Sequence, residues 1–188
     1  MIGISFNKKE FEYDAYTLVK AFYPKEEIEM YYTEEIQEEK NYDRLISILY
    51  GKKVVIRLCF DGKALEGEQA FDEEEDRKIR KNKLKQVLYQ LLVEETGHTL
   101  PWGNLTGIRP TENCPWDLFE SGMSNAEAAD YMRKTYYTSN EKTALAITIA
   151  NRERDILKNI DYENGIQLIC GIPFCPVYVC IVLLVPHL

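Results

Sequence analysis

Few side chains in this 188-residue chain have the chemistry of a reactive or metal-binding group, and the thiols come first. In Gly171-Ile172-Pro173-Phe174-Cys175-Pro176 an apolar run ends at a cysteine flanked by prolines. That pattern is expected of a buried strand, Leu168 to Phe174, which delivers Cys175 into a stiff loop. A thiolate there would ligate a metal, whereas a free cysteine at a strand end more often packs as a small buried apolar group. Cys180 follows with Cys-x4-Cys spacing, and no cysteine occurs in 181–188. The remaining cysteines, 59, 114 and 170, are spread along the chain. An odd, scattered set is expected in a reducing cytoplasm rather than in a disulfide framework, with Cys59 and Cys114 as core or near-surface thiols.

A second stretch has a texture of its own. Leu100-Pro101-Trp102-Gly103-Asn104-Leu105-Thr106-Gly107-Ile108-Arg109-Pro110-Thr111 has no hydrophobic period, and its prolines, glycines and tryptophan suggest a rigid loop packed over something. Arg109 is its only formal charge. Two readings stand side by side. The loop can stitch the first half of the chain to the helices that follow, with Arg109 satisfying backbone carbonyls. Alternatively Arg109, with Thr106 and Thr111, faces an anionic group such as a carboxylate, for which a guanidinium offers a bidentate fork.

Other chemistries find little support. Only His98 and His187 are available for a catalytic triad or a multi-histidine metal site, and His98 follows a helix stop, where a surface histidine is expected. No glycine-rich phosphate loop occurs. The thirteen tyrosines are dispersed over several elements, so packing accounts for them better than a base-stacking platform does. A net charge of −8 and a pI near 5.0 argue against nucleic acid or an anionic membrane as the main partner. The longest apolar run, 177–188, is too short to span a bilayer, and no basic segment precedes an apolar one at the start.

Gly-Ile-Pro-Phe-Cys-Pro resembles the entry to the iron–sulfur loop of oxygen-independent coproporphyrinogen III oxidase-like (coproporphyrinogen dehydrogenase) radical S-adenosylmethionine proteins. Leu100 to Thr111 resembles the Leu-Pro-Trp-Gly-x-Leu-Thr-Gly-x-Arg-Pro-Thr signature of the same family's amino-terminal region. The resemblance implies a [4Fe–4S] cluster held by Cys-x3-Cys-x2-Cys, with its fourth iron open to S-adenosylmethionine. It further implies a porphyrinogen substrate, an electron donor, and radical decarboxylation of propionates to vinyl groups in haem biosynthesis. Cys175 carries over by position as a cluster ligand. Cys180 does not align with the second ligand, Ile169 stands where an aromatic side chain is expected, and Glu112 stands where a lysine tends to follow the threonine. Shifting the reading frame by one base over Val179–Val185 spells, with allowed codons, a close match to the missing Cys-Leu-Tyr-Cys-Ser-Phe. The last dozen residues are therefore expected to be a frameshifted tail on a truncated barrel start, and this chain alone is expected to be inactive. A non-catalytic binding or docking module and a haem-chaperone-like relative are the alternatives.

The elements that would position these residues give an α+β class, a small mixed or antiparallel sheet packed with helices. Residues 1–97 form the expected α+β domain, 98–165 a Pro/Gly-rich loop and helical linker, and 166–188 the start of an absent barrel. Ile2–Phe6 and Glu27–Thr33 alternate as strands. Phe11, Ala15, Leu18, Val19 and Phe22 make one helical face, with Asn7 as the expected N-cap. The acidic run 34–40 suits a loop or an exposed helix. Tyr42, Leu45, Ile46 and Leu49 are spaced as a helix stopped by Gly51. Val54–Phe60 and Lys63–Phe71 form a hairpin around Asp61-Gly62. Asp72–Thr96 reads as a helix with Leu84, Val87, Leu88 and Leu91 inward, a solvated charged face outward, and acids complementing its dipole. A short helix starts at Pro115 and stops at Gly122. Ser124-x-x-Glu127 opens a helix to Tyr137, and another runs to Ile160 with Leu145, Ile149, Ile156 and Ile160 buried against the barrel strand. Asp161–Gly165 is a polar turn.

Overall fold

The computed structural model describes residues 1–32, 42–72, 74–106, 118–119 and 121–158, together with the backbone of 166–171 and 180–185. Two compact units are present, Met1–Thr148 and Ile149–Leu188.

The first unit is built on five strands, β1 Ile2–Phe6, β2 Ile28–Tyr32, β3 Arg44–Tyr50, β4 Lys53–Phe60 and β5 Lys63–Ala70. They lie in the order β2-β1-β3-β4-β5. β1 is parallel to both β2 and β3, while β3–β4 and β4–β5 are antiparallel. This is the mixed sheet and α+β class that the pattern implied. Register aligns Ile4, Ile46 and Leu58 across three strands. The apolar stripes of α1 (Glu12–Phe22) and α2 (Arg77–Thr96) close over that face: Ala15, Leu18, Val19, Leu84, Leu88 and Leu92 join Ile4, Ile46 and Leu58 in one core. Each fully buried large aliphatic there contributes roughly 1.5–3 kcal/mol. On the opposite face the Tyr42 ring lies directly on Gly3, where a Cβ would come within 2.7 Å of it. Tyr42 also stacks on Tyr31, with ring centroids 5.8 Å apart.

Several local expectations are corrected. Residues 42–49 do not form a helix: 44–50 is β3, paired on both edges, with Leu45 to Ile48 all buried. A central strand buried on both faces loses its alternation, so its apolar residues can mimic helical spacing. Asn7 does not cap α1, which begins five residues later after Phe11 in the left-handed region. Its side chain instead accepts from Tyr50 N (2.8 Å) and donates to Tyr50 O (3.0 Å), tying the loop after β1 to the end of β3. α2 has no acid in its first turn. The acids are spent just before it: Asp76 accepts from Lys78 N at 2.6 Å as the N-cap, and Glu75 pairs with Lys83 at 2.6 Å. At the far end of α2, Glu95 accepts hydrogen bonds from Tyr23 Oη and Arg44 Nε.

Two further helices follow, α3 Asn125–Tyr136 and α4 Asn140–Leu157. The expected capping box opens α3: Ser124 N donates to Glu127 Oε2 (2.9 Å) and Glu127 N to Ser124 Oγ (3.3 Å). Leu118 and Phe119 are helical, as the short helix requires. α4 does not bury the side assigned to it. Leu145 is 44% and Ile156 70% exposed, whereas Thr143 and Ala146 are buried. The helix is seated through its small residues, and Thr138 and Thr143 share a 2.7 Å hydroxyl contact. In the second unit β6 (Ile166–Gly171) and β7 (Cys180–Val185) pair antiparallel, with Gly171 opposite Cys180. The expected strand to Phe174 is described only as far as Gly171. The acidic run 34–40 and the turn 161–165 lie outside the described residues.

The loop 101–106 is stitched onto the C-terminal end of α3. Asn104 N donates to Tyr136 O (2.9 Å), Ser139 N to Pro101 O (3.0 Å), and Gln86 of α2 to Thr135 O (3.0 Å). Gly103 makes this approach possible. Its φ is +57°, and a Cβ there would fall 1.8 Å from Tyr136 O. We expect Gly103→Ala to cost more than about 4 kcal/mol in urea unfolding, because both strain and a main-chain clash are imposed at once. A loss below about 1 kcal/mol would contradict this docking.

Candidate functional site

The same loop carries Thr106 into a narrow polar seam between α1 and α2. Thr106 Oγ1 accepts from Lys85 Nζ of α2 at 2.9 Å and lies 3.1 Å from Thr17 Oγ1 of α1. Thr17 Oγ1 in turn donates to Asp14 O at 3.1 Å. Because Thr17 spends its proton on a carbonyl, it must accept from Thr106, and Thr106 must accept from Lys85. The hydrogen bonds therefore run one way, Lys85 to Thr106 to Thr17 to the Asp14 carbonyl.

Lys85 is only 6% exposed. Burial disfavours its charged form and lowers its pKa from the usual 10.5 to about 8; the Asp14 charge opposes the shift and Lys81 adds to it. Among the described residues no carboxylate lies within salt-bridge distance of it. One turn along α2, Tyr89 stacks on Tyr137 with centroids 5.2 Å apart. Together with Val93 and Leu100 these rings wall a mostly apolar cleft of about 370 Å³.

Of the three residues assigned to an anion site, Thr106 is thus placed beside a cation, while Arg109 and Thr111 lie outside the described residues. Lys85 was missed. It belongs to the basic run Lys78, Arg80, Lys81, Lys83, Lys85, read as a solvated face, yet it follows Leu84 directly and precedes Leu88 by three, at the edge of the buried stripe. That position was the available signal; that Thr106 would meet it was not readable from spacing. Arg80 departs from the solvated face as well, pairing with Glu10 at 2.8 Å with its guanidinium over Phe71.

Cys175 lies outside the described residues. Cys180 opens β7 opposite Gly171, and Cys170 is paired with Ile181, so the two cysteines are not cross-strand partners. Cys59 is buried in β4, as expected of a core thiol. His98 is exposed, with its ring 5.2 Å from that of Phe22. Among the described residues no three His, Cys, Asp or Glu side chains gather as a metal site, and no helix is long and apolar enough to cross a membrane.

The depressed Lys85 pKa makes stability depend on pH. Between about pH 8 and pH 10 the unfolded chain holds a proton on this lysine that the folded chain has released, so stability rises with pH across that window. Above it Tyr23 and Tyr50, whose pKa values burial raises, act in the opposite direction. From about pH 7.5 to about pH 9.5 the stability of the native chain should gain on the order of 2 kcal/mol relative to Lys85→Met, measured by urea unfolding. Equal pH slopes for the two proteins would show that Lys85 is not desolvated.

No protein-family model matches the chain, and no solved structure matches it. Among curated proteins it is similar to the oxygen-independent coproporphyrinogen-III oxidase-like protein HemZ of Bacillus subtilis (strain 168), with 37% identity over 105 residues. The match takes in 55% of this chain but only 21% of that protein. Over 105 residues the chain is therefore similar to an oxygen-independent coproporphyrinogen-III oxidase-like protein, of which it spans about a fifth.

Proposed function

We propose that this chain is the amino-terminal region of an oxygen-independent coproporphyrinogen III dehydrogenase-like enzyme of haem biosynthesis, and that this region helps to hold the substrate rather than to transform it. The observation that carries the reading is the 37% identity to HemZ. It is supported by the placement of Thr106, from the Leu100–Thr111 signature, against a buried cation. The apolar cleft beside Tyr89 and Tyr137 has the character of a small-molecule site, apolar walls with a few polar groups at its margin. In this reading Arg109 and Thr111 anchor a propionate of the porphyrinogen, and Thr106 orients the Lys85 ammonium rather than touching the carboxylate. The full-length protein would be cytoplasmic and would draw on an electron donor.

The iron–sulfur cluster and S-adenosylmethionine belong, in this proposal, to the full-length parent. The thiols of this chain do not fit the cluster. Three thiolates in one tight loop are required, whereas Cys175 is followed only by Cys180 at a spacing of four. Cys180 already stands in β7, in register with Gly171. No step is assigned to this chain through that group.

The reading is tested with the 188-residue chain itself. Coproporphyrin III, the oxidised and stable form of the porphyrinogen, should quench tyrosine and tryptophan fluorescence saturably, and Arg109→Ala should abolish that saturation. Anaerobic treatment with iron and sulfide should leave no stoichiometric cluster absorbance. Absence of saturable porphyrin binding would remove the substrate-holding role, and a full complement of cluster would remove the assignment of an inactive amino-terminal region.

A further inference from the structure

The directional hydrogen bonds around Lys85 leave something unused. An ammonium has three N–H donors, and Thr106 Oγ1 takes one of them. Thr106 cannot take a second role toward a new acceptor, because its own proton goes to Thr17. Among the described residues the other two donors have no acceptor, in a side chain that is 6% exposed. A buried ammonium satisfied by one neutral hydroxyl is costly, and a negatively charged acceptor with two oxygens would complete it. Lys81, four residues earlier on the same helix and half-buried, adds positive potential to the seam.

We propose that Lys85 is the counter-charge of a carboxylate-binding site, its two remaining N–H groups donating to one carboxylate arm of a bound ligand. The inference rests on the reading above for the identity of the ligand, a porphyrin bearing propionates, but not for the chemistry of the site. Thr106 and Thr17 hold the ammonium in place, and Lys85 supplies the charge. The apolar cleft lies one turn further along α2, at Tyr89, and its lining includes Glu94 but neither Lys85 nor Thr106, so the carboxylate site is argued from Lys85 and its hydroxyl partners alone.

The test uses the full 188-residue chain with two probes, coproporphyrin III and propionate, followed by the Lys85 Cε resonance and by fluorescence. In the native chain each probe should shift the Lys85 resonance and raise its titration midpoint. Lys85→Met should weaken coproporphyrin binding by about tenfold or more, the loss expected for one charge-assisted contact. The tetramethyl ester of the porphyrin, which lacks the acid groups, should bind the native chain and the variant alike. If porphyrin binds but neither shifts the Lys85 resonance nor distinguishes Lys85→Met, this inference fails while the substrate-holding reading stands. If propionate shifts Lys85 and porphyrin does not bind, the carboxylate site stands and the porphyrin reading fails. If neither probe moves Lys85 but Glu112→Gln does, the acceptor belongs to the chain itself and the external site is overturned. The resonance is read in the native protein, so misfolding of Lys85→Met would not protect the proposal.

Discussion

The close approach of two main chains at Gly103 is the constraint from which the rest of the site follows. A residue with a side chain cannot stand where the Tyr136 carbonyl passes, and Asn104 N–H needs that carbonyl as its acceptor. The end of α3 accommodates the contact by turning sharply: Tyr137 adopts the left-handed conformation with φ of 57°, its N–H returning to Arg133 O. With the loop pinned there, Thr106 falls between α1 and α2. Had the loop stood off α3 by the width of a methyl group, Lys85 would have had no hydroxyl to meet.

α2 links this constraint to the sheet. Its apolar stripe packs on β4 and β5 within the shared core, its N-terminal turns hold Arg80 against Glu10 and Phe71, and its last turn places Glu95 between Tyr23 and Arg44. Gln86 and Lys85 project from the middle of the same helix onto the end of α3 and the signature loop. One rigid element therefore fixes both the fold and the position of the buried cation. A site carried on a helix that is anchored at both ends can hold an ammonium in low dielectric without letting it swing out to water.

Much of the fold could be read from the chain before its structure. Alternation marked β1, β2 and the β4–β5 hairpin, and helical spacing marked the buried faces of α1 and α2. The Ser124–Glu127 capping box marked the start of α3. The misreadings have physical causes. β3 is paired on both sides, so the burial of consecutive residues erased its period. α4 is seated through Thr143 and Ala146, and its larger apolar residues at 145 and 156 stay at the surface. The candidate site was half legible. The composition of Leu100–Thr111 suggested a rigid packed loop, and over 101–106 the hydrogen bonds to the end of α3 display its stitching role. Lys85 was hidden by the company of four other basic residues, since only packing distinguishes a buried lysine from a solvated one.

The decisive question is whether the buried ammonium of α2 receives a carboxylate from outside the chain. A crystal structure of the 188-residue protein grown with coproporphyrin III shows this directly. The expected result is a porphyrin carboxylate oxygen within hydrogen-bond distance of Lys85 Nζ, with the Lys85 to Thr106 bond retained. A porphyrin bound elsewhere, with Lys85 still donating to Thr106 and to groups of its own chain alone, would contradict it.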